Sequence, residues 1–398
     1  MGNYGPVLSA PGARRLLFSS VAGRLPLGMS LAILLLVRDA TGGFGTAGAV
    51  VGAYGIAASA CGPLLGRLVD RTGQAKVLLA CALANAAALV AIVVAAHADV
   101  PVAVLVALGA LTGACLPPIA ACVRVLWPEL VADPQAREAA FALDATVQEL
   151  VWTSGPLLVG GTIALAGPSA AVLGMAAVTL AGTIWFASSP AVRARHGHGD
   201  ATARGGALTA PGMVVLLVAS AGAGIGMGTI EVGLPGIAHE LHHTGASGAL
   251  LALCSLGSLS AGIAFGLRAW RSPLELRFAA LMLIAALVLV PLMLVASLPE
   301  ALVFAYISGF GWAPALSCAY ALVGRLAPPG AMTEAFTWNG SAIGGGIAAG
   351  VAVGGALVDA GGGAAALAFG IASCLLAAGV LVARRQTLAR AVAATAAA

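Results

Sequence analysis

Twelve runs of mainly apolar residues succeed one another along this chain, near residues 15–37, 46–66, 77–97, 101–124, 138–162, 168–188, 212–235, 246–267, 276–297, 300–323, 334–357 and 363–383. A helix needs about 20 such residues to cross the hydrocarbon core of a bilayer. No stretch alternates with period two between turn residues, which excludes a β-barrel. Only 9% of the 398 residues are charged and 60% are apolar, against roughly 25% and 45–50% in soluble domains. That is too little polar material to cover even one domain in water. A soluble enzyme, a nucleic-acid binder and a disordered chain are ruled out. The fold class is an all-α integral membrane protein of twelve transmembrane helices.

Several runs contain proline (Pro26, Pro117, Pro118, Pro156, Pro291, Pro314), which membrane helices tolerate where neighbours re-satisfy the backbone. The 54 glycines are near twice the usual ~7% share, and small residues let such helices approach closely. Seven cysteines fall in apolar runs with no CxxC pair, so neither a disulfide framework nor a zinc site is indicated. With a cytoplasmic N-terminus, seventeen of the nineteen Lys and Arg residues, Arg124 among them, lie on the cytoplasmic side, Arg38 lies outside and Arg24 sits within the first run. The positive-inside rule therefore places both termini in the cytoplasm. Arg14-Arg15 before an apolar run resembles a secretory signal, but a run of about 22 residues exceeds a signal's 7–15. It is expected to stay as a helix.

The polar stretch Arg193–Arg204 divides the chain nearly in half and reads as a linker. The expected organisation is a six-helix bundle over 1–192, a cytoplasmic linker over 193–205 and a second bundle over 206–398. The halves repeat one another. Leu16, Ser20 and Gly28 fall on Leu216, Ser220 and Gly228, and Gly45, Gly48, Gly62, Gly66 and Arg71 fall on Gly245, Gly248, Gly262, Gly266 and Arg271. Further on, Gly113, Pro118 and Cys122 meet Gly309, Pro314 and Cys318, Ala140-Phe141 meets Ala335-Phe336, and Asp144 meets Asn339. The offset drifts only from 200 to 195. Two parallel repeats imply a pseudo-twofold axis along the membrane normal, with a site between them near the midplane.

The segment Gly66-Arg-Leu-Val-Asp70-Arg71-Thr-Gly73-Gln-Ala-Lys76 resembles the signature loop between the second and third helices of the major facilitator superfamily. The likeness covers the whole chain. It implies a transporter working by alternating access, with Asp70 and Arg71 latching the halves in the outward-open state; Gly66 and Gly73 suit a tight turn and Lys76 anchors the cytoplasmic face. In the second copy Trp270 replaces the aspartate. Gly155-Pro156-Leu-Leu-Val-Gly160-Gly161 resembles the helix-five motif of bacterial proton-coupled drug exporters, with one extra residue and Val151 where a glycine is expected. Those exporters also carry an Arg early in helix four. None lies around 107–113, and Arg124 lies at the expected cytoplasmic end instead, so the usual proton-relay Arg has no occupant.

Four ionisable residues fall inside the runs: Arg24, Asp144, Glu149 and Glu231. Each costs at least ~2.5–3.5 kcal/mol at mid-membrane and must face protein or water. By helical rise, Arg24 lies roughly 13 Å from the cytoplasmic end, between Asp144 at roughly 9 Å and Glu149 at roughly 16 Å. Arg24 is expected to pair with Glu149, Asp144 or each in turn, as a proton switch, as an anchor for an anionic substrate, or as a fixed ion pair that sets helix register. Glu231 is expected near the outer rim. Gln148 and Trp152 share helix five with Glu149, while Trp312, Tyr320, Trp338 and Asn339 are candidates for the facing wall. His239-Glu240-Leu-His242-His243 looks metal-like but lacks a fourth ligand.

The functional expectation is a secondary-active exporter of small amphipathic compounds exchanged for protons, in the cytoplasmic membrane of a bacterium. The alternative is proton-coupled import of a polar or anionic metabolite, with Arg24 as its anchor. An integral membrane enzyme or a receptor is a remote third. The expected partners are a small-molecule substrate, protons and lipid, with no cofactor, metal or nucleic acid, and the chain is expected to be a monomer.

Overall fold

The structure, a computed structural model, describes residues 4–25, 29–98, 100–197 and 206–397. Pro26, Gly28 and residues 198–205 of the expected linker, Arg204 included, lie outside them. Among the described residues, ten helical stretches are long and apolar enough to span a membrane. Two of these, Pro134–Ala187 and Met332–Ala383, are each a pair of helices joined at a bend. Gly167 (φ 84°) makes the first bend and Gly361-Gly362 (φ 78° at Gly362) the second. A left-handed φ of this kind is open to glycine without a Cβ clash. Eight single stretches and two double ones make the twelve spans that hydropathy predicts.

The first four spans are Ala13–Thr41, Gly45–Thr72, Gln74–Ala96 and Val102–Leu130, followed by residues 134–166 and 168–187 as the fifth and sixth. The seventh to tenth are Met213–Glu240, Thr244–Leu267, Leu274–Leu294 and Leu298–Leu326, with residues 332–360 and 363–383 as the eleventh and twelfth. The fourth span runs six residues beyond its expected end at 124. Arg124, expected at the cytoplasmic end of that run, therefore lies inside the helix and is buried.

The internal repeat is visible in the packing. Gly113 of the fourth span seats against the Tyr54 carbonyl of the second, and its counterpart Gly309 of the tenth seats against the Cys254 carbonyl of the eighth. A Cβ at either position would collide with backbone, so only glycine permits this approach. Both helices break just there, at Cys115–Pro118 and at Gly309–Gly311. Phe141 and Phe336, themselves repeat mates, meet with ring centroids 6.0 Å apart. Contact between equivalent residues of two repeats marks the pseudo-twofold axis.

The two bundles touch at one end and part at the other. Along the second span, Gly45, Gly48, Gly52, Gly55, Ser59, Gly62 and Gly66 recur at helical spacing on one face. Near the arginine-rich end this face lies on the eleventh span: a Cβ at Gly66 would lie 2.9 Å from the Thr333 carbonyl oxygen, and Ser341 donates a hydrogen bond to the Ser59 carbonyl at 2.7 Å. Towards the opposite end, Gly45, Gly48, Gly52 and Gly55 face open space. The eighth span repeats the pattern. Gly262 and Gly266 abut Thr146 and Ala142 of the fifth span, whereas Gly245 and Gly248 face nothing. The spans thus diverge into a cleft that opens away from the arginine-rich end.

Candidate functional site

Where the bundles meet beneath the cleft, Asp144 of the fifth span lies fully buried between two guanidinium groups. Arg24 Nη2 approaches Asp144 Oδ1 at 3.0 Å and Arg124 Nε approaches Oδ2 at 2.7 Å. Gln148, one turn along the same face, accepts from Arg24 Nη1 at 3.4 Å and from Arg124 Nη2 at 3.5 Å. Arg24 is further fixed by its own helix, donating to the Ser20 carbonyl at 3.2 Å and to the Ser20 hydroxyl at 2.9 Å. Over the other guanidinium, Tyr320 of the tenth span presents its ring 3.7 Å from Arg124 Cζ, a cation–π contact made away from bulk water. Arg124 and Tyr320 are repeat mates, offset by 196, so this contact too sits on the pseudo-twofold axis. The buried charge lies at the centre of the protein.

Glu149 takes no part in that ion pair; of the two carboxylates expected for Arg24, Asp144 is the one it meets. Five residues on an α-helix turn the side chain by about 140° relative to Asp144. Asp144 and Gln148 thereby face the first and fourth spans, and Glu149 faces the eighth. It is 5% exposed, with Ser258 as its neighbour across the bundle interface, and its Oε1 has no hydrogen-bond partner among the described residues. The Ser258 hydroxyl in turn accepts from the Ala313 amide at 3.1 Å. A carboxyl group so placed bridges the two bundles and can exchange a proton without breaking an ion pair.

The other expected residues divide. Asn339 lies at the position matching Asp144, but Gly224 stands opposite Arg24, so the second bundle has no charge here: the Ser220 hydroxyl donates to Asn339 Oδ1 at 2.8 Å. Trp312 is buried inside the second bundle over Gly226, and Trp338 is half-buried against the core. Trp152 is half-buried, Glu231 is exposed on the seventh span, and Gly160 and Gly161 face open space beyond Gly155 and Pro156. Glu240 of the histidine-rich loop accepts the Gly363 amide at the start of the twelfth span, at 2.5 Å.

At the arginine-rich end, Asp70 accepts the backbone amides of Thr333 and Glu334, at 3.1 and 2.9 Å, and so caps the eleventh span from the other bundle. The sequence shows why a partner is needed. The fifth span carries its own cap, Asp133, which accepts from the Ala136 amide at 2.7 Å, whereas the eleventh has Ala331 in that place. Gly73 (φ 99°) forms the turn to the third span. Arg71 and Lys76 are exposed and make no ion pair among the described residues, so the side chain of Arg71 is not part of the latch. Arg67 takes that place, 3.8 Å from Glu334. Glu138 adds a second bridge, to Arg277 at 2.7 Å and Arg325 at 2.8 Å. On the second copy of the motif, the Tyr4 hydroxyl donates to the Gly262 and Ile263 carbonyls, each at 3.2 Å.

The family model described as Major Facilitator Superfamily matches residues 16–350. The chain belongs to the major facilitator superfamily. It is a multi-pass membrane transporter rather than an enzyme. Solved structures carry the same fold over nearly the whole chain. A human organic anion transporter, MFSD10 (TETRAN), aligns with TM-score 0.71 at 17% identity, covering 95% of this chain and 100% of that one. A bacterial homologue of the iron transporter ferroportin, in an outward-facing state, gives 0.74 at 14% identity, with 94% and 99% covered. The proton:xylose symporter XylE gives 0.67 at 15%, with 92% and 94% covered. No curated protein matches. At these identities the likeness is one of fold, and the chemistry of this superfamily member rests on its own residues.

Two participants escaped the sequence reading. In sequence, Arg124 stands at the expected cytoplasmic end of an apolar run and counts among the cytoplasmic cations. Its signal was the repeat, which sets it opposite Tyr320. Glu138, at the first turn of the fifth span, carried no signal in its neighbours, since its partners lie 139 and 187 residues away.

Proposed function

We propose that this protein is a proton-coupled secondary transporter of small amphipathic compounds, working by alternating access, with Glu149 as the group that carries the proton. One observation carries the reading: Glu149 is a buried carboxyl group at the seam between the bundles, with no arginine partner and one oxygen unbonded. An acid held in a fixed ion pair serves register, whereas one without a countercharge can load and release a proton as the cleft opens and closes. The walls of the cleft, rich in Gly and Ala with few charges, suit amphipathic cargo. The helix-five likeness implies export in exchange for protons. Residues 1–192 and 206–398 would rock against each other about the site. The setting is the cytoplasmic membrane of a bacterium, with a monomeric chain and both termini in the cytoplasm.

The test is transport in proteoliposomes under an imposed pH gradient. The wild-type chain is expected to accumulate or expel an amphipathic probe in step with the gradient. Glu149→Gln is expected to abolish the gradient's effect while leaving unlabelled-for-labelled substrate exchange intact. If the variant responds to the gradient as the wild type does, Glu149 is not the proton carrier. Accumulation driven by protons moving the same way assigns import; the opposite assigns export.

A further inference from the structure

The buried cluster holds two guanidinium groups against one paired carboxylate. Arg24 has every nitrogen engaged, through Ser20, Gln148 and Asp144. Arg124 does not. Its Nε is taken by Asp144 at 2.7 Å, its Nη2 makes only the 3.5 Å contact with Gln148, and its Nη1 makes no hydrogen bond among the described residues. Asp144 divides a single charge between both cations. The other groups bearing on the site are Tyr320 from the tenth span, which covers the Arg124 face, and Glu149, which is turned to the eighth span and its Ser258 and Cys254. With a proton on Glu149 the cluster has net charge +1; with Glu149 ionised it is neutral. Buried cationic surplus of this kind calls for an anion, and the planar fork of an arginine receives a carboxylate through two parallel hydrogen bonds.

We propose that the transported substrate is an organic anion whose carboxylate docks on the open edge of Arg124 beneath Tyr320, its apolar body lying along the glycine- and alanine-rich walls of the cleft. This rests on the proton-coupled reading above and adds a sign to it. A proton on Glu149 and an anion on Arg124 each favour the other electrostatically, and such coupling is reciprocal. Anion and proton therefore move together, which is the import arm and not the exchange that the helix-five likeness implies. Because Tyr320 belongs to the opposite bundle, the anion site is complete only while the bundles are closed on it.

The experiment compares 4-phenylbutyrate with its neutral amide and with 4-phenylbutylamine, on the purified full chain, by equilibrium binding and by proteoliposome uptake under a pH gradient. The carboxylate is expected to bind at least about tenfold more tightly than either analogue. Arg124→Gln is expected to bring carboxylate binding down to the level of the amide, leaving amide binding unchanged. Asp144→Asn, which removes the competing carboxylate, is expected to strengthen carboxylate binding; the two variants thus move it in opposite directions, which loss of fold cannot do. Equal binding of all three probes, or preference for the amine, overturns the inference. Gradient-driven movement of the amine or amide without the carboxylate also overturns it and leaves the proton-coupled reading standing. Carboxylate binding that depends on Arg124, with no response of transport to the gradient, keeps the inference and removes that reading.

Discussion

Asp144 is the residue on which the centre of the molecule depends electrostatically. It is 0% exposed and is the carboxylate that both Arg24 and Arg124 contact. Removing one partner of a buried ion pair costs roughly 3–5 kcal/mol, because the charge left behind has neither water nor a countercharge. Asp144→Asn strands two guanidinium groups, while Arg124→Gln leaves a balanced Arg24–Asp144 pair. The expected order of melting temperatures in detergent is wild type, then Arg124→Gln, then Asp144→Asn well below. Equal losses for the two variants would mean that Asp144 does not hold both cations. This cluster was half legible in the sequence. Arg24, Asp144 and Gln148 stood out as polar groups inside apolar runs. Arg124 did not, because a charge at the edge of a run reads as the end of a helix when its neutralising partner is twenty residues away. The direction of Glu149 follows from helix geometry alone, but its neighbour Ser258 lies in the other half of the chain.

For the elements, the twelve spans were readable because bilayer thickness sets a length that few other structures match. Their ends were less so, since a helix continues wherever packing or capping sustains it, as in the fourth span to Leu130. Capping also explains why the two copies of the signature loop differ. The fifth span is capped by its own Asp133, and Trp270 stands where the second copy would need an aspartate; the eleventh lacks a cap and receives Asp70. Side-chain caps contribute about 0.5–2 kcal/mol. Only the state closed at the arginine-rich end contains the Asp70 contact, so Asp70→Ala is expected to shift the balance towards opening at that end by roughly 2- to 30-fold. Adding Ala331→Asp gives the eleventh span a cap of its own. The double variant is expected to regain thermal stability while keeping the shifted balance, read from the reactivity of a cysteine placed at Thr337, which is buried under Gly66. Recovery of the wild-type reactivity as well would show that the cap, and not the tie between bundles, sets the balance.

At the scale of the whole molecule, the bundles are joined at one end by Asp70, Arg67–Glu334, Glu138 with two arginines, and Tyr4, and are parted at the other. Among the described residues nearly all the cations lie at the joined end, and on the positive-inside rule we propose that this end is cytoplasmic. A fluorescent protein fused to the C-terminus is therefore expected to fold and glow, and a periplasmic alkaline phosphatase fused there to stay inactive; the reverse would turn the molecule over and make the cleft face inward. The closed end must open for transport, and the second and eleventh spans must separate when it does. A Cβ at Gly62 would lie 3.5 Å from Ser341 Oγ, which places Gly62→Cys and Ser341→Cys within reach of a disulfide. Oxidation of the double variant is expected to stop transport and leave the chain folded, with full recovery on reduction and no effect of oxidant on either single variant. Transport that continues through the crosslink would show that these two spans stay together throughout the cycle, and the opening would then have to run along the fifth and eighth spans alone, past Gly262 and Thr146.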